Sequence, residues 1–238
     1  MATTPRIAPG YLSPRRDGTL TLGGHSTIAP RMPTLVQFGA GNIGRGFIVP
    51  TFAAAGWTCV FVDVAPALLA ALRTRGGYRV LLVDNAGERV EVVSGVQAID
   101  GRDAGAVAGA VAAADLVSTS VGLGVLPRLG APIAAGLVQR LACGRSALDV
   151  LVCENGAQAH TDLRRAILAA VPDDQRVAAD AALGTVRTSI GRMIPAPAPG
   201  ADALDIRVEP YAKLPVERAA FRGAVPQVQH LTAKDDFD

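Results

Sequence analysis

A doubly wound, mainly parallel α/β sheet is what this sequence predicts, on three grounds. Short apolar runs alternate with helix-forming stretches between Thr34 and Ala170, the pattern of parallel strands joined by right-handed crossovers. The first run opens directly into a glycine turn, Thr34–Phe47 reading TLVQFGAGNIGRGF. Half of the 238 residues are hydrophobic while only 4% are aromatic, so the core is built from Ala, Val and Leu, as in sheets covered on both faces.

The elements follow in order. Leu35–Phe38 reads as a buried strand, and Ile43–Ala55 as a helix that stops at Gly56, a residue suited to a helix C-cap. Pro50 falls inside that helix, where it removes a backbone bond and crowds the carbonyl of Gly46, so a kink or distorted turn is expected. Thr58–Val62 is the second strand and ends at Asp63. Pro66–Arg75 is a helix with Pro in its first turn. Tyr78–Val83 and Arg89–Val93 alternate around the turn residues Asp84-Asn85-Ala86-Gly87, which makes a β-hairpin insertion on the plain sheet. Val96–Ile99 is a short strand, alanine-rich Ala104–Ala113 a helix, Asp115–Ser120 a strand and Leu126–Leu141 a helix. Leu148–Cys153 and His160–Ala170 are a last strand and helix. Beyond Pro195 the composition turns to Pro, Ala and Gly; Leu204–Val208 can form a strand, and no packed element is expected at the end.

Gly39, Gly41 and Gly44 stand at the G-x-G-x-x-G spacing by which a strand-to-helix turn carries a dinucleotide pyrophosphate. With 26 glycines in 238 residues, chance supplies about 0.3 such spacings, so the surrounding order of elements carries the reading. Strand, turn, helix and strand occur in sequence, and Asp63 ends the second strand 24 residues beyond Gly39. A carboxylate there accepts hydrogen bonds from the adenosine ribose and repels a 2′-phosphate, which favours NAD over NADP. Ligands of such a Rossmann-type sheet gather at the carboxyl ends of the strands. Two further strand ends are therefore site candidates: Ser118–Gly122, beside the sugar and nicotinamide half, and Cys153–Gly156. Asn155 reads equally well as a partner for a ribose or substrate hydroxyl and as a turn or N-cap residue.

Composition excludes other classes. A formal charge of +2 without a long basic run gives no case for nucleic acid. No apolar stretch approaches the ~18 residues of a membrane span. Cys59, Cys143 and Cys153 lack metal or disulfide spacing and read as core residues of a reduced, cytoplasmic protein. His25, His160 and His230 are scattered and read as remote from the strand ends, so no metal site is assigned. Arg15-Arg16 has no apolar segment after it, which argues against export. Residues 1–31 read as a disordered extension with the natural start at Met32, residues 32–194 as the dinucleotide-binding domain, and residues 195–238 as a linker and the incomplete start of a second, catalytic domain.

Several blocks also carry a family resemblance: FGAGNIGRGF (Phe38–Phe47), FVDV (Phe61–Val64), VSGVQAI (Val93–Ile99), DLVSTSVG (Asp115–Gly122), LVCEN (Leu151–Asn155) and FRGAVP (Phe221–Pro226). In order and spacing they resemble the polyol-specific long-chain dehydrogenases, the mannitol dehydrogenase family, and within it the mannitol-1-phosphate 5-dehydrogenase branch. The resemblance implies an NAD-linked oxidoreductase that interconverts mannitol 1-phosphate and fructose 6-phosphate, with a sugar or polyol phosphate as its partner. It implies that Gly39, Ala40, Gly41, Asn42, Ile43, Gly44 and Asp63 hold NAD and that Ser120, Val121 and Asn155 lie near its nicotinamide side.

Two departures stand out. Gly191 replaces the Asp that the family usually places before Arg-Ile-x-Pro. The family's catalytic lysine belongs to a Lys-x-x-x-x-Asn-x-x-His segment downstream of the stretch aligned here, and neither Lys213 nor Lys234 has such neighbours. No catalytic residue is therefore assigned, and the chain alone is expected to be inactive, its C-terminal catalytic segment lacking. Other readings are a non-catalytic NAD-binding module or remnant, and a different NAD-dependent sugar or keto-acid dehydrogenase that shares only the cofactor domain.

Overall fold

The computed structural model describes residues 31–145, 147–195 and 200–237. The extension expected over residues 1–31 lies, except for Arg31, outside the described residues. From Met32 onward the chain forms one compact unit.

The strands and helices alternate as their residues dictate. β1 (Thr34–Phe38) leads into helical residues 42–54, of which Gly44–Ile48 form a π turn and Val49–Ala54 form α1. There follow β2 (Thr58–Asp63), α2 (Pro66–Arg75), the hairpin β3 (Gly77–Asp84) and β4 (Gly87–Ser94), β5 (Gln97–Asp100) and α3 (Ala104–Ala113). The second half is β6 (Leu116–Thr119), α4 (Gly130–Ala142), β7 (Leu148–Val152), α5 (Ala159–Ala170), α6 (Arg176–Ala182) and β8 (Leu183–Arg187). A six-stranded sheet has the order β5-β2-β1-β6-β7-β8 with every neighbouring pair parallel. Chain order reverses between β1 and β6, the switch point at which such sheets open a crevice. Successive residues of β1 feed opposite layers: Leu35 enters one core with Phe47, Phe52 and Phe61, while Val36 and Phe38 enter the other with Ile133, Leu137 and Leu163.

The distortion expected at Pro50 is present as the π turn just before α1. Pro50 has no N–H to give, and the carbonyl of Gly46 instead accepts Arg192 Nη1 at 3.1 Å. The same guanidinium donates to the carbonyls of Tyr211 and Pro210 and lies 5.1 Å over the Phe47 ring. Burial lowers its pKa below the ordinary arginine value.

Three features differ from the sequence expectation. α6 and β8 were not anticipated, because Leu-Gly-Thr-Val-Arg carries a weak strand signal. Gly184 sits there for want of space, since a Cβ would stand 2.1 Å from Asp149 Oδ1. The hairpin does not stand alone: β9 (Ile206–Val208) pairs in parallel with β3 to complete a second sheet, β4-β3-β9. The residues beyond Pro195, expected as linker and the opening of a further domain, pack on this unit. Leu204, Ile206, Val208, Leu214 and Val216 are all buried in the first core. At about 1.5–3 kcal/mol per fully buried aliphatic side chain, burial of Ile206 and Val208 offsets much of the entropy cost of ordering a three-residue strand. β10 (Leu214–Glu217) and β11 (Leu231–Lys234) pair in parallel where no packed terminal element was expected.

Arginines and one buried acid fasten this segment. Arg45, 7% exposed, donates Nε to Ala40 O at 2.6 Å and Nη1 to Ala203 O and Leu204 O. Asp149, buried inside β7, accepts the amides of Arg222 and Gly223 at 2.8 and 2.9 Å. Desolvation raises its pKa above the ordinary carboxylate value. Among the described residues no helix is long and apolar enough to cross a membrane.

Candidate dinucleotide site and strand-end cleft

The glycine turn is fixed by sterics. Gly39 has φ +90°, donates its N–H to Val62 O at 2.9 Å, and would drive a Cβ to 2.4 Å from Ser120 O. At Gly44 a Cβ would stand 2.2 Å from Gly39 O, so the helix closes on its own turn only without a side chain. Gly41 differs from both. It is exposed and a Cβ there would meet nothing within 4 Å. Gly41 and Asn42 face open space at the helix entry, Asn42 at the edge of a hollow of about 350 Å³, while Ile43 is half-buried.

Asp63 stands beside this turn and does more than the sequence suggested. Its Oδ2 accepts the N–H of Ala40 at 2.7 Å, and its Oδ1 accepts Val64 N and Ala65 N at 2.7 and 2.9 Å. The acid thus braces the glycine turn and the start of the next loop together. A carboxylate offers about four lone-pair sites, so three amides leave room for one further donor.

Beneath the turn lies a polar group that sequence reading passed over. Gln37, fully buried in β1, donates Nε2 to Phe38 O at 2.6 Å and to Ser120 Oγ at 2.9 Å, and its Oε1 accepts the hydroxyl of Ser118. It ties β1 to β6 across the switch point. The available signal was one amide in the otherwise apolar run Leu-Val-Gln-Phe.

A cleft of about 950 Å³ opens at the carboxyl ends of β6, β7 and β8. Of the predicted residues it gathers Ile43, Ser120 and Asn155; Val121, between the lining residues Ser120 and Gly122, does not line it. Val121 N and Gly122 N donate to the two carboxylate oxygens of Glu154 at 2.8 and 2.9 Å. His160, read from sequence as remote from the strand ends, lines this cleft from the first turn of α5, because α5 begins close behind β7. Its Nδ1 is buried without a hydrogen-bond partner. Arg187 and Thr188 at the end of β8 line it too. Thr188 Oγ1 donates to Val152 O at 2.8 Å, and the Arg187 guanidinium lies 5.2 Å from the centre of the Phe237 ring. These were missed with β8 itself. Cys153 also reaches the cleft, but burial pushes its thiol up to about 12, so it is no nucleophile near neutrality.

The lysines lie elsewhere. Lys213 Nζ sits 5.5 Å over the Tyr211 ring, and Lys234 is an exposed residue of β11. Neither lines the cleft. Gly191 exchanges both backbone bonds with Lys213, and a Cβ there would press Lys213 O at 3.0 Å.

Known proteins resemble this chain in both sequence and form. Residues 33–230 match a family model described as the mannitol dehydrogenase Rossmann domain. A mannitol-1-phosphate 5-dehydrogenase of Brevibacillus brevis (strain 47 / JCM 6285 / NBRC 100599) is 39% identical over 202 residues, which cover 85% of this chain and 52% of that protein. The chain thus spans about half the length of that relative. In three dimensions it is similar to Pseudomonas fluorescens mannitol 2-dehydrogenase, solved as a ternary complex with NAD and D-mannitol (TM-score 0.73, 17% identity, 88% of this chain and 54% of that one). A D-sorbitol dehydrogenase in substrate-free form shares the fold at TM-score 0.69 and 16% identity, over 82% of this chain and 52% of that one. The sheet order, the glycine turn and the match over residues 33–230 agree: the chain belongs to the mannitol dehydrogenase family and comprises its Rossmann domain.

Proposed function

We propose that this chain binds NAD and forms the cofactor-binding half of an NAD-linked oxidoreductase that interconverts mannitol 1-phosphate and fructose 6-phosphate. The observation that carries the reading is the contrast inside the glycine turn. Gly39 and Gly44 are closed by neighbours at 2.4 and 2.2 Å, whereas Gly41 between them faces open space at a helix entry. That is the shape needed for a pyrophosphate to approach backbone amides.

Gly39 to Gly44 would hold the pyrophosphate and Asp63 the adenosine ribose, its charge opposing a 2′-phosphate. Ser120, Val121 and Asn155 would flank the nicotinamide at the mouth of the cleft. Bound there, NAD supplies the hydride acceptor for oxidation of a secondary alcohol. The chain's own residues would hold and orient it. The phosphorylated sugar is supported by the Brevibacillus brevis relative. Three free cysteines, two of them buried, support a reducing, cytoplasmic setting.

No catalytic base is assigned. A base positioned on the hydroxyl proton is worth about 10²-fold or more in rate, and both lysines of the chain lie outside the cleft. These 238 residues alone are therefore expected to turn over negligibly. The test is NADH absorbance with saturating NAD and mannitol 1-phosphate, run beside the Brevibacillus brevis enzyme. A second reading rests on His160, whose unpartnered Nδ1 is buried at the cleft. Substantial turnover by the chain, abolished in His160→Ala, would make His160 the base.

A further inference from the structure

We propose that Glu154 fixes the loop after β6 and, by its charge, selects the oxidised form of the nicotinamide. The inference rests on the cofactor reading above. Glu154 leaves the end of β7 and reaches across to the end of β6, where its two oxygens accept Val121 N and Gly122 N at 2.8 and 2.9 Å. The two consecutive amides converge on one point, and Gly122, at φ +86°, turns the loop just after them. Such a concavity otherwise serves an external anion; here a side chain of the protein fills it. The path of Ser120–Gly122 is thereby set before any ligand arrives.

The position of the charge follows from the same bonds. Ser120, Gly122, Glu154 and Asn155 all line the strand-end cleft. Glu154 is the only carboxylate among the described residues that line it, and Arg187, Arg192 and His160 line it as well. Arg192 is held by three backbone carbonyls and Arg187 lies on the Phe237 ring, so both cations keep their charge and Glu154 alone among these lining residues opposes it. The nicotinamide ring is a cation when oxidised and neutral when reduced. A carboxylate held at the cleft wall attracts the first and is indifferent to the second. Two amides occupy about half of its lone pairs, so its bonding to the loop does not neutralise it. Asn155, the next residue, then contributes orientation, while Glu154 contributes charge. Glu154 is a positioning residue in this account, since it acts through the loop it holds and through its field.

The test uses the 238-residue chain and three probes: NAD⁺, NADH and ADP-ribose, which lacks the nicotinamide. Affinities are measured by calorimetry for the unmodified chain, Glu154→Gln and Glu154→Asp. The Gln variant should weaken NAD⁺ about tenfold relative to NADH, less than a contact charge pair gives at effective dielectric ~20, and leave ADP-ribose unchanged. The Asp variant, which keeps the charge, should retain most of the NAD⁺-to-NADH ratio. An unchanged ratio in Glu154→Gln, with both nucleotides still bound, overturns this inference and leaves the cofactor reading intact. If Gln also weakens ADP-ribose, the Asp variant decides: a ratio that falls as far as in Gln overturns the proposal. Failure of the unmodified chain to bind any of the three probes overturns the cofactor reading and this inference with it.

Discussion

At the glycine turn the polar groups are already committed: Gly39 N to Val62 O, Ala40 N to Asp63, Ala40 O to Arg45, and Gln37 to Ser120 beneath. At the strand-end cleft the groups stand ready and partly unmet. His160 Nδ1 has no partner there. One region is assembled by two consecutive strands and a single turn, backed by Ser120 just after β6. The other draws on the ends of β6, β7 and β8, on α5 and on Phe237. The difference teaches where precision comes from. A site whose ligand is recognised by backbone amides is built by sterics and closes on itself, while a site that meets a varied substrate keeps side chains in reserve.

The contrast within the turn gives the largest expected effect. Gly39→Ala forces a Cβ against Ser120 O at left-handed φ, which should cost roughly 2 kcal/mol or more. For a chain of this size that lowers the melting temperature by roughly 4–8 °C. Gly41→Ala meets nothing in the protein, so it should melt with the parent yet bind NADH at least about tenfold more weakly, the Cβ standing where phosphate would approach. Thermal melts and NADH titrations of the two variants separate the roles; equal melting losses would erase the distinction.

Asp63 joins structure and binding, and its loss should register in both. Asp63→Ala strands the three amides it holds, at about 1–3 kcal/mol, and should narrow the preference for NADH over NADPH. A variant that melts normally while losing the preference would confine the acid to the ligand and remove it from the turn.

Arg192 bears on the cleft's outer wall. Arg192→Ala frees the Gly46 carbonyl left by Pro50 and two further carbonyls. Denaturant unfolding should report a loss of about 1–2 kcal/mol, with NADH affinity little changed because the glycine turn has its own braces.

The smallest effect is a pH dependence far from either site. Asp149 has a folded pKa raised by desolvation, so its ionised form is the disfavoured one in the fold. Its contribution to stability is therefore greatest in acid and declines as pH rises from the ordinary carboxylate range through the raised value. Asp100, lowered by its bond to Arg102, and Asp202, lowered by Leu204 N–H, run the other way and lose their contribution as pH falls. The stability gap between the parent chain and Asp149→Asn should accordingly widen from pH 7 toward pH 4. A gap that narrows over that interval would contradict the burial argument.

What the sequence disclosed divides along the same line. The strands flanking the glycine turn, the hairpin, and Asp63 were readable because each rests on local rules: period, turn residues, a fixed offset. Pro50 foretold a distortion, though not that Arg192 would answer it from 142 residues away in sequence. Gln37 and Asp149 were not singled out, and Glu154 was named only within the strand end Cys153–Gly156, because their partners are amides and hydroxyls on other elements, which leave no pattern along the chain. β8 was hidden by Gly184, a residue chosen by the side chain of Asp149 rather than by strand propensity. With β8 went Arg187 and Thr188; the start of α5 was read to within one residue, but not its approach to the cleft, which brings His160 there.

The central claim is that the glycine turn and Asp63 form an NAD site. Its most direct test is a calorimetric titration of the 238-residue chain with NADH and, separately, NADPH. The account predicts saturable binding of one NADH per chain with clearly weaker binding of NADPH. Equal affinity for the two, or no binding of either, would contradict it.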